Sequence, residues 1–188
     1  MSQQIRNLLI LSSIILLFGG YALAENVINS TVSKVSVSIV PQRKKVTAGM
    51  DLRVLAKFIF PEDWHIYGTE PGAFGIPTEV KIVLLEAGKE IAPNPALGKP
   101  WWPKPEESQS DEGEVSYVYR KPFTVSLGGF NVSKALLPGA ELTLKLEARW
   151  LACSKEVCIP EKREFTEIVR VVEKYDDAPV NPEFNQEF

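Results

Sequence analysis

An all-β, antiparallel β-sandwich is predicted by three observations. Apolar side chains alternate with a period of two along several short runs, turn residues separate those runs, and no segment carries a helical stripe of useful length. About seven such strands fit the immunoglobulin-like class of sandwich.

In chain order, Val35, Val37 and Ile39 alternate first, followed by Leu52, Val54, Ala56, Phe58 and Phe60. Further strands are expected at Trp64–Gly68, through Val80, Ile82 and Leu84, and over Ser116–Leu127. The clearest strand lies between Glu141 and Trp150. There Leu142, Leu144, Leu146, Ala148 and Trp150 point one way, while Glu141, Thr143, Lys145, Glu147 and Arg149 point the other. A last strand is expected at Arg163–Glu173, and turns at Ala48-Gly49, Glu86-Ala87-Gly88, Gly128-Gly129 and Pro138-Gly139.

The ends read differently. Arg6, the apolar run Leu8 to Phe18 and the small residues Ala22-Leu23-Ala24 form the pattern of a cleavable signal peptide over residues 1–24, which implies an exported mature chain. The run is shorter than the roughly 20 residues that cross a bilayer. Removing these residues takes away one base and no acid. The 21 basic side chains become 20 against 24 acidic ones, for a net charge of −4 over the remaining 164 residues. The folded domain is expected over residues 32–174, with residues 175–188, rich in acids and proline, as a flexible tail.

Composition narrows the chemistry. With 45% hydrophobic and 24% charged residues the chain is an ordinary globular one. Its formal charge of −3 offers no basic surface for a phosphate backbone, so no nucleic-acid partner is expected. A single histidine, His65, argues against chemistry that needs several imidazoles, and no cofactor and no metal are expected. Two cysteines exclude a disulfide-dense scaffold and a four-cysteine zinc site.

Two stretches break the strand rhythm, residues 69–77 (TEPGAFGIP) and 98–114 (GKPWWPKPEESQSDEGE). Long aperiodic loops in compact domains are usually functional or disordered. The pair Trp101-Trp102 argues against plain disorder, since two large aromatics need a surface to cover.

Cys153 and Cys158 enclose Ser154-Lys155-Glu156-Val157 and flank the connection between the strands expected at 141–151 and 163–173. A bridge there is geometrically reasonable, whereas the cross-sheet bridge of immunoglobulin domains joins strands far apart in sequence. Closing a loop of about six residues stabilises by roughly 2 kcal/mol, less than a distant pair would. Spacing alone leaves three readings open: a structural staple, a redox pair, and metal binding with help from Met50 or His65.

The segment Trp150-Leu151-Ala152-Cys153-Ser154-Lys155-Glu156-Val157-Cys158-Ile159-Pro160 resembles the cysteine motif in the N-terminal periplasmic domain of DsbD-type thiol:disulfide interchange proteins. Two upstream segments agree in order and content. One is Trp64-His65-Ile66-Tyr67 with Pro71-Gly72 and Gly75-Ile76-Pro77-Thr78; the other is Trp102-Pro103-Lys104-Pro105 with Tyr117-Val118-Tyr119-Arg120. The likeness spans about residues 35–173.

This resemblance implies an immunoglobulin-like domain that carries reducing equivalents from a membrane-embedded, DsbD- or CcdA-like donor or a thioredoxin-like domain to oxidised periplasmic proteins. By position it makes Cys158 the sulfur that forms the mixed disulfide and Cys153 the resolving one. It also implies a mobile cap loop over the cysteines. Residues 101–114 hold that place, with Trp101 or Trp102 as the shielding residue and Tyr67 as a supporting contact. The transmembrane carrier and thioredoxin-like domain of full-length DsbD have no counterpart among these residues, so reductant is expected from a separate protein. Of the residues beside the thiols, Lys155 would favour a thiolate and Glu156 would oppose it. His65 reads as a structural histidine, and Tyr117 and Tyr119 as packing residues. The competing reading from another class is a non-catalytic exported binding domain whose disulfide only staples a hairpin.

Overall fold

The computed structural model describes residues 34–185; the expected signal peptide and the residues just after it lie outside them. Eleven strands form: β1 (Ser36–Pro41), β2 (Lys45–Val46), β3 (Asp51–Ile59), β4 (His65–Gly72), β5 (Glu79–Glu86), β6 (Lys89–Ile91), β7 (Glu106–Gln109), β8 (Val115–Tyr119), β9 (Phe123–Asn131), β10 (Glu141–Cys153) and β11 (Cys158–Val171). One sheet has the order β1-β3-β9. The other runs β2-β11-β10-β4-β8-β7, with β5 alongside the first part of β10 and β6 beside β5.

The sandwich closes because the alternating apolar positions of the two sheets face one another. Leu52, Val54, Ala56 and Phe58 of β3 and Val125, Leu127 and Phe130 of β9 share one core with Leu142, Leu144, Leu146, Ala148 and Trp150 of β10. At its centre Phe58 stacks on Phe123 with centroids 4.9 Å apart and meets the Trp150 ring edge-on at 6.2 Å. The opposite side of β10 is the charged face its sequence predicts. Glu141 pairs with Arg170, Lys145 with Glu164, Glu147 with Lys162 and Arg149 with Glu79.

Several elements differ from expectation. The single strand expected over Ser116–Leu127 breaks at Arg120-Lys121-Pro122 into β8 and β9, which belong to different sheets. Pro122 has no N–H for a ladder and pushes Lys121 into extended geometry, so the chain changes sheets there. Gly128-Gly129 is not a turn but a bulge within β9. The register jumps from Arg53↔Gly129 to Leu55↔Ser126, with Gly128 at φ +84°. A Cβ on Gly128 would come within 2.8 Å of the Gly98 carbonyl oxygen, so glycine alone fits. The pairing is not wholly antiparallel, since β2 runs parallel to the end of β11. The stretch 98–114 is not a free loop: Trp101 bridges Ser126, and Glu106–Gln109 form the edge strand β7 beside β8.

The tail is also corrected. Residues 175–185 return to the outer side of the three-stranded sheet and end in a short helix, α1 (Pro182–Asn185). Phe184 is buried with Val40 and Leu55. Asn181 donates from its backbone N–H to the Gln42 carbonyl (2.8 Å) and from Nδ2 to the Pro41 carbonyl (3.1 Å), and the Arg43 guanidinium donates to the Ala178 carbonyl. Composition suggested disorder because one buried aromatic carries the attachment, too little to show as periodicity. Phe184→Ala is expected to lower stability by about 2 kcal/mol, from the lost apolar burial. Urea denaturation checks this, and an unchanged midpoint would mean the segment is not seated there.

Candidate redox site

The β10–β11 ladder runs unbroken from Glu141↔Arg170 to Cys153↔Cys158, so the two cysteines are the last cross-strand pair before the tip. At the tip Ser154 N–H donates to the Val157 carbonyl (2.8 Å), while Ser154 Oγ accepts from the backbone N–H groups of Glu156 and Val157 (both 3.2 Å). The serine thereby closes the turn through its side chain. Ser154 and Val157 form a hydrogen-bonded pair, which makes Cys153 and Cys158 the adjacent non-hydrogen-bonded pair, where strands come closest. Their Cα atoms are 4.0 Å apart and their sulfurs are joined in a disulfide.

The two halves of this disulfide differ in exposure. Cys158 faces solvent, while Cys153 is 2% exposed. Cys153 is not buried in the sandwich core, which takes its neighbours Ala152 and Trp150. It points to the opposite face, the one lined by charges from Glu141 to Arg149. That face turns apolar at Leu151 and Cys153.

Beside this end of β10 lies β4. This strand pairs with the end of β10 through Ile66↔Ala152 and His65↔Cys153, then leaves to pair with β8, and β5 takes the place beside β10 from Glu79 onward. The excursion between them is stapled at its base. Thr78, fully buried, donates from its N–H to the Gly68 carbonyl (3.0 Å) and from Oγ1 to the Tyr67 carbonyl (2.5 Å). Residues 69–77 thus form a compact loop with joined ends. Its tip is tied to β8 by Ala73 N–H donating to the Val115 carbonyl and Phe74 N–H to Ser116 Oγ. Gly75, at φ +104°, lies flat against the Tyr67 ring, where a Cβ would fall 2.2 Å from Cδ1. Beneath it Val118, paired with Tyr67, is buried, while Phe74, Ile76 and the tip residue Val157 stay substantially exposed.

His65 is half-buried, its ring edge-on to Tyr67 at 5.6 Å. Burial first, and the positive charge of Arg120 second, hold its pKa below the ordinary 6.5. Lys155 and Glu156 both stand exposed at the tip.

The sequence profile described as "Thiol:disulfide interchange protein DsbD, N-terminal" matches residues 36–170. The chain belongs to this DsbD N-terminal domain family. No curated protein matches the chain. Among solved structures, the N-terminal periplasmic domain of ScsB from Proteus mirabilis is similar at 14% identity and TM-score 0.47, covering 82% of this chain and 51% of that one. The chain therefore spans about half the length of that ScsB structure. The DsbD N-terminal domain of Neisseria meningitidis in its reduced form is similar at 17% identity and TM-score 0.40, covering 70% of this chain and 86% of that one. A complex between the DsbD and PilB N-terminal domains of Neisseria meningitidis matches at 20% identity and TM-score 0.37, covering 68% and 80%.

Within this DsbD-type domain, the residues expected at the site are only partly brought together. Cys153, Cys158 and Tyr67 share the outer face of one sheet end. Trp101 and Trp102 do not join them, which corrects their expected shielding role. Trp101 is bridged to Ser126 in the other sheet and is 61% exposed, while Trp102 turns into the core against Phe58 (6.3 Å) and Phe123 (6.2 Å). The rest of 101–114 is held as a sheet edge, with Arg120 donating to Ser108 Oγ (2.8 Å). Met50 packs against the core, so it is His65 that sits beside the cysteines. Among the described residues no three His, Cys, Asp or Glu side chains gather as a metal-binding group.

Sequence reasoning did not place His65 beside Cys153. A signal for a packed neighbour was present: the solvent register Glu141, Thr143, Lys145, Glu147, Arg149 continues to Leu151 and Cys153, two apolar positions.

Proposed function

We propose that this domain is a periplasmic thiol–disulfide exchange module, exported by a cleavable signal peptide, that relays reducing equivalents through Cys153 and Cys158. The observation that carries this reading is the unequal burial of the two sulfurs' residues at the tip of a hairpin. In the loading half-reaction a thiolate of a thioredoxin-like donor attacks Cys158 Sγ, and Cys153 Sγ leaves as a thiolate and takes up a proton. The donor's second thiol then resolves the mixed disulfide. Two electrons and two protons have passed to the pair, and the donor ends as a disulfide. In the delivering half-reaction the Cys158 thiolate attacks an oxidised periplasmic protein, and Cys153 attacks Cys158 Sγ to release the reduced product. A membrane-embedded DsbD- or CcdA-like protein, or a thioredoxin-like domain, supplies the electrons.

The staple reading is weaker on energetic grounds. The long β10–β11 ladder already sets the hairpin register, and closing so short a loop adds only about 2 kcal/mol. Trapping tests the proposal. Cys153→Ser is expected to accumulate a mixed disulfide through Cys158 with a thioredoxin-like domain, visible on non-reducing gels, whereas Cys158→Ser leaves only the buried thiol and accumulates far less. No adduct from Cys153→Ser, together with a reduction potential below about −300 mV, would reassign the bridge to a structural role.

A further inference from the structure

The strand register places four side chains in one row on the outer face of the sheet end. Cys158 of β11 pairs with Cys153 of β10, which pairs on its other side with His65 of β4. On the far side of β4, Ile66 pairs with Tyr119, which brings Arg120 to the end of the row. Residues directly opposite one another in antiparallel strands project to the same face with Cβ atoms about 4.5–5.5 Å apart. The imidazole is therefore the lateral neighbour of the Cys153 sulfur, on the side away from Cys158.

This matters because Cys153 has a proton problem that Cys158 does not. A thiol buried among apolar groups is harder to ionise than one in water, and only the thiolate attacks a disulfide. When Cys153 must resolve a mixed disulfide held on Cys158, its proton needs an acceptor inside the covered face. We propose that His65 is that acceptor: the neutral imidazole takes the Cys153 thiol proton as Cys153 Sγ attacks Cys158 Sγ.

The step balances. The Cys153–Cys158 bond forms, the bond between Cys158 and the substrate sulfur breaks, the substrate leaves as a thiolate with the electron pair, and the proton remains on His65 until solvent removes it. The charged and titratable groups facing His65 are Cys153 from β10 with Cys158 beyond it, Tyr67 from its own strand, and Arg120 after β8. Burial and the Arg120 charge both keep the imidazole neutral near pH 7, as a base must be.

The inference rests on the exchange reading for its biological setting, but its test does not. The reduced domain is mixed with 5,5′-dithiobis(2-nitrobenzoate), and release of the coloured thiolate is followed by stopped flow. The first release reports attack by Cys158, and the second reports closure by Cys153. His65→Gln is expected to slow the second release at pH 7 by about tenfold to 100-fold and to leave the first unchanged.

The pH profile separates a base from a merely structural histidine. In the wild type, closure should fall as pH drops through the depressed imidazole pKa below 6.5, because an imidazolium cannot accept the proton, and should be nearly level above it. In His65→Gln, closure should climb about tenfold per pH unit as the thiolate fraction grows, meeting the wild type at high pH. Equal second-release rates in a folded His65→Gln or His65→Asn, or a wild-type profile with no inflection below 6.5, would overturn the proposal. The wild-type profile needs no substitution, so it decides the matter even if both variants fail to fold. Failure of the exchange reading would show instead as absence of a trapped partner, with the two-step release intact.

Discussion

Trp150→Ala is expected to destabilise the domain by about 3–5 kcal/mol, a large share of the roughly 5–15 kcal/mol that holds such a domain folded. The indole is 1% exposed, meets Phe58 edge-on and lies under the Arg163 guanidinium at 5.8 Å. Truncation leaves a cavity where the two sheets meet, three residues before Cys153. Trp150→Phe should cost far less. The buried indole Nε1 makes no hydrogen bond, so phenylalanine forfeits volume but no polar partner. Urea denaturation followed by far-ultraviolet circular dichroism compares the variants without relying on the tryptophan that is removed. Equal losses for the two substitutions would mean that the indole N–H, and not the packed volume, carries the effect.

Gly75→Val should have the second-largest effect, and on reactivity more than on stability. Glycine is required here twice over, by φ +104° and by the Tyr67 ring that occupies the space of a Cβ. A side chain would introduce strain of about 1–3 kcal/mol, relieved by lifting loop 69–77 from Tyr67. Even 1–2 kcal/mol multiplies a lifted population by about 5–30. The readout is alkylation of the single thiol left in Cys158→Ser, since that background reports on buried Cys153 alone. Gly75→Val in this background should raise the iodoacetamide rate several-fold, in proportion to the lifted population. A rate equal to that of Cys158→Ser itself would show that this loop does not shield the sulfur.

How much of this was legible follows from the range of each interaction. The strands around Leu52–Phe60 and Glu141–Trp150 stood out because one face is buried along their whole length, which writes a period of two into the chain. β7, with the sequence Glu-Glu-Ser-Gln, has no buried face and exists because the edge of β8 offers backbone partners. The seating of Phe184 on Val40 and Leu55 was hidden for a similar reason, since a single residue has no period. The tryptophan pair misled because adjacent residues of an extended chain point to opposite sides. One of two neighbouring indoles packs inward and the other is left outside.

Local pattern by itself determined the strand-rich class, the alternation that builds the core, and the five-residue spacing that allows a hairpin bridge. Those properties depend on neighbours in the chain. Tertiary structure alone decided that Cys153 is buried and Cys158 open, that His65 lies beside Cys153, and that loop 69–77 folds against Tyr67 while Trp101 and Trp102 are held by the other sheet and the core. Each depends on which strand lies beside β10 near its end. That pairing is a long-range contact, selected by the packing of the whole sandwich, and no local periodicity encodes it.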